Sequence, residues 1–274
     1  MSQDPAVHNR GAGLSQRLLA DAPPCADQFA IGERGDQSER VDVLLVNPPA
    51  PDGGIWIRSQ HRVGRRSREG MIWPQADLAQ LAALFPDMRV AIIDAIPSRM
   101  TWAAFEAELE RLHPRYYLTQ VTAPTLENDM YGVFLARARG AVTIAMGTHV
   151  TPMPVATLET FPALDYVLVG EPELTLRELV DALEPDAPVR LADVDQTLNA
   201  SLERLYSMAD PDWRPVVERG RTTAERLTSI PGLAWRKAGA PEVNSPRALI
   251  GDLDALPLPR HDLLPLRRYR APMV

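Results

Sequence analysis

Five short apolar segments, separated by stretches with helical spacing, constrain the fold of this chain more than any other feature. Four of them occupy residues 43–46, 90–93, 142–146 and 166–169, and a more polar fifth occupies residues 116–121. Continuous apolar runs of this length are typical of strands buried on both faces of a parallel sheet. Strands that alternate with helices imply right-handed crossovers. The sequence therefore predicts a doubly wound, Rossmann-like or flavodoxin-like α/β domain with a five-stranded parallel sheet.

The segments between these strands carry helix signals. Residues 76–85 repeat Leu and Ala on one face, and residues 101–113 begin with Thr101, a residue type that caps helix N-termini. Two more helices are predicted at 128–139 and 174–183. In sheets of this kind, ligands bind outside the carboxyl ends of the strands, so the loops that follow the strands are the candidate site. These loops are 47–54, 94–100, 122–128, 147–154 and 170–173.

The segments outside the α/β domain, which we place at residues 41–183, differ in composition. Residues 1–40 mix Gly, Pro, Ser, Asp and Arg with little periodicity, and we expect them to be disordered. Residues 184–229 are predicted to be a linker or insertion with a helical stretch near 198–208. Residues 230–274 are predicted to form a hairpin and an extended tail, because the residue before a proline is kept out of the helical region.

Composition and charge exclude several classes of function. The 274 residues carry a net charge of -7, which argues against a general nucleic-acid binder. There is no apolar run of the length that crosses a bilayer and no basic-then-apolar leader, so we expect no membrane span and a cytoplasmic location. Cys25 is the single cysteine, whereas a cubane iron–sulfur cluster takes at least three cysteines from its chain. We therefore expect no such cluster on this chain.

The usual phosphate-binding motifs are also missing from the sequence. No G-x-G-x-x-G follows the first strand, and G-x-x-x-x-G-K-[ST] does not occur. A nicotinamide or nucleoside triphosphate site is therefore not supported. The first loop, residues 48–54, instead begins with prolines and ends with glycines, which offers a rigid rim without a row of amide donors.

Four motifs occur along the chain in the order VLLVNPP, MGTHVTPMPVATLE, DYVLVGEPELTLRELV, and PGLAWR followed by LIGDLDALPLPRHDLLPL. In this order they resemble the N-terminal, cobalamin-binding half of cobalamin-dependent radical SAM proteins. The family includes hopanoid, bacteriochlorophyll and methyltransferase branches, and the segment MIWPQADLAQLAALFP is most similar to its hopanoid and tetrapyrrole members. The resemblance covers residues 41–183 and 230–266.

The resemblance implies a cobalamin laid over the carboxyl edge of the sheet, with its nucleotide tail between the sheet and a helix. The residues it assigns to cofactor binding are Pro48, Pro49, Thr122, Ala123, Pro124, Thr125, Gly147, Thr148, His149, Gly170 and Glu171. The chain departs from the family where Met-Gly-Thr-His replaces Gly-Gly-Pro-His and where Gly-Glu-Pro-Glu replaces Gly-Glu-Gly-Glu. In the second departure, Pro172 removes an amide donor.

The family's cluster motif, Cys-x-x-x-Cys-x-x-Cys, does not occur in this chain. We therefore expect a cobalamin-binding domain whose catalytic barrel is missing or belongs to a separately encoded radical SAM subunit, and we expect its tail to be poorly packed. A stand-alone cobalamin-binding module with a regulatory or partner-docking role is the alternative. A flavodoxin-like domain without a cofactor is the third possibility.

Several polar residues have a simpler interpretation than a role in binding. His61 lies in a segment similar to the D-x-H-x-x-G signature of cobalt-ligating proteins, but serine replaces the aspartate that would orient the imidazole, so no ligation is expected. His149 is expected to order its loop or line the pocket. Arg58 belongs to an arginine-rich loop that we expect to be solvated. Asp129 and Glu173 are expected to be charges at helix starts.

Overall fold

The computed structural model describes residues 40–58, 65–67, 70–184 and 222–270. Its strands are β1 (Val43–Asn47), β2 (Trp56–Ile57), β3 (Arg65–Arg66), β4 (Val90–Asp94), β5 (Tyr116–Gln120), β6 (Val142–Met146), β7 (Tyr166–Leu168), β8 (Leu233–Lys237) and β9 (Ala240–Val243). The predictions for Cys25, His61, most of the N-terminal segment and the helical stretch near 198–208 lie outside the described residues.

The main sheet has the strand order β4-β1-β5-β6-β7-β8-β9, and β2 and β3 form a separate hairpin. The first five strands of the main sheet run parallel. Numbered along the chain, these five strands follow the order 2-1-3-4-5, the flavodoxin-like variant of the doubly wound arrangement. The predicted α/β class with a mostly parallel sheet is therefore confirmed.

The predicted number of strands was wrong, because the main sheet has seven strands rather than five. The predicted hairpin is present as β8 and β9, but it does not stand apart from the sheet. β8 pairs antiparallel with β7 over three residue pairs, from Tyr166 with Trp235 to Leu168 with Leu233. The apolar residues of β8 are buried as a continuation of the core, which explains why the hairpin extends the sheet.

Six helices are described: α1 (Ala76–Ala82), α2 (Trp102–Leu112), α3 (Leu126–Ala138), α4 (Pro154–Thr160), α5 (Pro172–Leu183) and α6 (Thr223–Thr228). Short 3-10 turns occupy Ala123–Thr125, Leu253–Ala255, His261–Leu263 and Leu266–Arg268. The predicted cap at Thr101 is confirmed, because its hydroxyl accepts a hydrogen bond from the Ala104 amide at 3.2 Å. The helix predicted over 76–85 ends as α1 at Ala82.

The helices cover both faces of the sheet and define two cores. The core on one face contains side chains of α1, α5 and α6, among them Leu78, Leu81, Leu176, Leu179 and Leu227. The core on the other face contains side chains of α2, α3 and α4, among them Phe105, Leu109, Met130, Val133 and Leu158. Alternate residues of β1 point into the two cores, and all five are buried, as its apolar run predicts.

The expectation of a poorly packed tail holds for Leu258 and Leu266, which are exposed, but it was wrong for other parts of residues 250–270. Ile250, Ala255 and Leu264 are buried against the core that contains α1 and α5. Backbone hydrogen bonds join Arg260 to Ala79 in α1 and join the stretch around residue 270 to that around residue 72. The tail is held because its apolar residues find a partner surface on this domain. No helix in the described parts of the chain is long and apolar enough to cross a membrane.

Candidate functional site

The strand order places a crevice at the carboxyl ends of β1 and β5. These strands are neighbours in the sheet, but α1 packs on one face and α3 packs on the other. Loops that leave adjacent strands in opposite directions open a crevice, and ligands of doubly wound proteins bind there. Four of the five loops singled out from the sequence carry residues that the resemblance assigns to the cofactor, and they follow β1, β5, β6 and β7 at this edge. The two faces of the edge have different chemistry.

On the α3 side, a buried ion pair lies at the carboxyl ends of these strands. Arg58 and Asp129 have fully buried side chains, and the Arg58 Nε donates to Asp129 Oδ1 at 2.9 Å. The Arg58 Nη1 donates to Asn47 Oδ1 at 2.9 Å and to the Pro48 carbonyl at 3.1 Å. The expectation that Arg58 is solvated was therefore wrong, and Asp129 is more than a charge at a helix start. Their side chains tie β1, the first loop and α3 together.

Thr122 and Thr125 belong to the same buried network. The Thr125 hydroxyl donates to Asp129 Oδ2 at 2.6 Å, and the two threonine hydroxyls lie 2.8 Å apart. Both residues are 1% exposed. Burial raises the pKa of Asp129, while the Arg58 guanidinium and the Thr125 hydroxyl act in the opposite direction. The threonine hydroxyls are thus bound within the protein, and Ala123 and Pro124 are the exposed residues of this loop.

Pro48 and Pro49 are both buried and form a fixed wall of the crevice. The Pro48 carbonyl accepts from Arg58, and the Pro49 carbonyl accepts from Asn128 Nδ2 at 2.6 Å. Two side chains, one at the end of β2 and one in α3, therefore fix successive carbonyl groups of the first loop. The rigid rim expected from the proline pair is present in this form.

The tail reaches the same edge through Tyr269. Its hydroxyl donates to Asp94 Oδ2 at 2.8 Å, and Asn47 Nδ2 donates to Asp94 Oδ1 at 2.8 Å. Asp94 is 4% exposed, and burial raises its pKa to about 6 although these donors favour the charged form. Sequence reasoning missed this contact because 175 residues separate the two partners.

The loop after β6 carries Gly147, Thr148 and His149. Gly147 has a φ of +118°, and a Cβ at this position would lie 2.7 Å from the Val121 carbonyl oxygen. Glycine is therefore required here by the neighbouring strand, whatever binds above it. Thr148 is exposed and His149 is half-buried. This loop presents a hydroxyl and an imidazole beside the crevice.

The loop after β7 carries Gly170 and Glu171. Gly170 has a φ of +83°, and a Cβ there would meet no atom within 4 Å, so the backbone is open to an approaching group. The Gly170 amide donates to Thr151 Oγ1 at 3.3 Å. Glu171 Oε2 accepts from the Ile250 amide at 2.6 Å. The structure therefore gives Glu171 a role in holding the start of the tail.

On the α1 and α5 side, three acceptor-bearing side chains stand together, and we call Asp77, Gln120 and Glu173 the acceptor cluster. Gln120, the last residue of β5, is 3% exposed, and its Nε2 donates to Asp77 Oδ2 at 3.4 Å. Its Oε1 is buried without a hydrogen-bond partner, and so is Oε2 of Glu173. Burial raises the pKa of Glu173, with further contributions from Glu171 and Asp77. The sequence analysis did not single out Gln120.

Within the described residues, no group of three or more His, Cys, Asp or Glu side chains is arranged to hold a metal ion. No protein-family model matches this chain. The chain is 27% identical over 209 residues to a Pyrococcus horikoshii protein named as an uncharacterized methyltransferase. The alignment covers 74% of this chain and 36% of that protein, so the chain matches about a third of its relative's length.

Proposed function

We propose that residues 41–183, together with the hairpin, form a cobalamin-binding domain that serves a radical SAM-type enzyme in methyl transfer or related radical chemistry. The observation that carries this proposal is the convergence of the four loops at one edge of a sheet with 2-1-3-4-5 order. Three of the four motifs that resemble cobalamin-dependent radical SAM proteins supply the loops after β1, β6 and β7, and the fourth motif forms the hairpin and the tail. The methyltransferase name of the distant relative is consistent with a methyl-transfer role for the system.

The residues at the edge fit such a cofactor in part. The open backbone at Gly170 and the exposed hydroxyl of Thr148 leave room and polar contacts for the amides and phosphate of a nucleotide tail. Thr122 and Thr125 fit less well than the sequence suggested, because their hydroxyls are bound to Asp129 and to each other.

The residues that would hold the cofactor are therefore 147–149 and Gly170 on one side and the wall formed by Pro48 and Pro49 on the other. Cobalamin, when bound, supplies a cobalt centre able to carry a methyl group. The chain's own contribution would be to orient the cofactor through the residues named above. For that task, Arg58 and Asn128 keep the first loop from moving, since each binds one of its carbonyl groups.

The test uses two matched glycine substitutions in the full chain. Gly170 and Gly140 have the same φ of +83° and the same open surroundings, but Gly140 precedes β6 at the opposite edge of the sheet. Asparagine tolerates this backbone conformation, so Gly170→Asn and Gly140→Asn carry similar strain. Hydroxocobalamin binding is measured by equilibrium dialysis with absorbance detection.

We expect the wild-type chain to bind one cobalamin. Gly170→Asn should reduce the affinity roughly tenfold or more, because one lost or blocked contact of about 1.4 kcal/mol gives a factor of ten. Gly140→Asn should leave the affinity unchanged. If the cobalamin concentration is equal on the two sides of the dialysis membrane, the wild-type chain does not bind cobalamin and the proposed function is refuted. Equal affinities for the two variants would place the cofactor away from the loop after β7.

A stand-alone cobalamin-binding module is the second candidate, and the packed tail favours it because Tyr269 and Ile250 are bonded to this domain. Exposed leucines in the same tail favour the first candidate, since they offer an apolar surface to a partner; they are Leu253, Leu258 and Leu266. Hydrogen exchange of the tail with and without a radical SAM protein encoded beside this chain separates the two. Protection that appears only with the partner supports the enzyme system.

A further inference from the structure

The acceptor cluster contains a buried side chain whose orientation is fixed and whose oxygen is unused. Gln120 Nε2 donates to Asp77, so the reverse orientation of the amide would place its oxygen against a carboxylate. The Oε1 atom must therefore point away from Asp77, and it has no hydrogen-bond partner. A buried amide oxygen without a partner costs about 1–3 kcal/mol. Such an atom indicates a missing donor.

Glu173, which interacts electrostatically with the same Asp77 that Gln120 contacts, adds a second unused acceptor. Its Oε2 is buried without a partner in the first turn of α5. The pKa of Glu173 is raised by burial and by the carboxylates of Glu171 and Asp77, so Glu173 and Asp77 are close enough to repel each other. When Glu173 is ionised, neither unused atom can donate a hydrogen bond to the other. In that state both acceptors lack donors among the described residues.

The tail is attached on both sides of the acceptor cluster. It begins at Glu171, two residues before Glu173, where the Ile250 amide is bound. It then reaches α1, where Gln80 Nε2 donates to the Pro257 carbonyl at 2.8 Å and the Arg260 amide donates to the Ala79 carbonyl at 2.9 Å. Residues 250–260 thus run from the start of α5 to α1, next to Asp77. Hydrogen bonds to the buried oxygen of Gln120 are stronger than those formed in water.

We propose that the acceptor cluster binds a neutral primary carboxamide of the ligand, which in a corrin is one of the peripheral amide side chains. A primary carboxamide offers two N–H donors, one for Gln120 Oε1 and one for Glu173 Oε2. It carries no charge, so its burial costs far less than that of an ammonium group. This inference rests on the proposed function and deepens it, because it names the residues that select an amide over an acid at the corrin periphery.

The experiment compares cobalamin with its monocarboxylate derivatives, in each of which one peripheral carboxamide has been hydrolysed. Dissociation constants are measured by equilibrium dialysis for the full wild-type chain, Gln120→Met and Glu173→Gln. Glu159→Gln is the matched control, because Glu159 is exposed on α4, which packs on the opposite face of the sheet. Methionine keeps the volume of Gln120 and removes its acceptor.

In the wild type, we expect at least one monocarboxylate isomer to bind roughly tenfold or more weakly than cobalamin, since it lacks a donor and meets Asp77 and Glu173. Glu173→Gln should shrink that ratio, and Gln120→Met should weaken cobalamin itself by about tenfold, while Glu159→Gln changes neither quantity. The ratio between the two ligands is independent of any general loss of folded protein. If the acceptor cluster had a purely structural role, Glu173→Gln would leave this ratio of affinities unchanged.

The outcomes separate this inference from the proposed function. If the wild type binds cobalamin and every monocarboxylate isomer equally, the acceptor cluster does not bind an amide, but the proposed function stands. If Glu173→Gln abolishes cobalamin binding, the site requires a charge and the inference is overturned. If the wild type binds no cobalamin, the inference and the proposed function both fall.

Discussion

The buried ion pair between Arg58 and Asp129 allows the sharpest prediction about stability. Both side chains are 0% exposed, and their closest atoms are 2.9 Å apart. The substitution Asp129→Asn keeps the shape of the side chain and removes its charge, so the Arg58 guanidinium remains buried with no anion beside it. Breaking a pair of this kind from one side costs about 3–5 kcal/mol.

A loss of this size is a large fraction of the stability of a domain, which is typically about 5–15 kcal/mol. The free energy of unfolding is measured from urea denaturation followed by circular dichroism, with the slope checked for two-state behaviour. The control is Glu108→Gln, which removes one partner of an exposed pair with Arg111 on α2. Exposed pairs of this kind contribute about 0.2–1 kcal/mol.

The double substitution Arg58→Met with Asp129→Leu tests whether the unpaired charge of Arg58 causes the loss of stability. Because both charges are then absent, most of the loss caused by Asp129→Asn should be recovered. If Asp129→Asn costs no more than Glu108→Gln, then Arg58 has access to water in solution and the crevice is open on this side. If the double variant is less stable than Asp129→Asn, the hydrogen bonds of the pair matter more than its charges.

Three further predictions concern the edge and the core. The pKa of Asp94 is about 6 in the folded state against 3.8 in the unfolded state, so the stability from its protonated form is complete below the unfolded pKa and is lost as the pH rises through 6. The stability difference between wild type and Asp94→Asn should thus fall by about 2 kcal/mol from pH 4 to pH 7 in urea denaturation, and a constant difference would contradict this reasoning. Gly132→Ala places a Cβ 2.6 Å from the Tyr117 hydroxyl and should cost about 1–3 kcal/mol, with Tyr117→Phe in the same chain restoring the melting temperature. If cobalamin binds as proposed, His149→Ala should leave the electron paramagnetic resonance spectrum of its cobalt(II) state unchanged; nitrogen splitting that responds to nitrogen-15-labelled histidine would show a protein ligand.

The parallel strands could be predicted from the sequence because each is buried on both faces. A run such as Val43–Asn47 is apolar along its length, and this pattern belongs to central strands of α/β sheets. The hairpin β2–β3 was missed because strands of two residues show no periodicity. The pairing of β8 with β7 was missed because a hairpin shows its own turn in the sequence but not the distant edge on which it packs.

The location of the candidate site could be predicted from the sequence, but the side-chain contacts within it could not. The loops after the strands gather at one edge because the strands run parallel, and the sequence already indicated those loops. Whether a polar side chain is buried depends on partners far along the chain, such as Asp129 for Arg58, 71 residues away. An arginine in an arginine-rich loop carries no local signal of such burial. Gln120 could not be predicted for the same reason, since the burial of its oxygen without a partner depends on how α1 and α5 pack.

The hairpin also has a consequence for the behaviour of the protein at high concentration. β7 has three residues, and without β8 its peptide groups would form an unpaired, apolar edge that invites pairing with another copy of the chain. The outermost strand is instead β9, whose residues are mostly exposed and include Pro241, which has no amide hydrogen to donate. Glu242 adds a charge to this strand and pairs with Lys237 of β8. The hairpin thus replaces an edge prone to self-association with one that resists it.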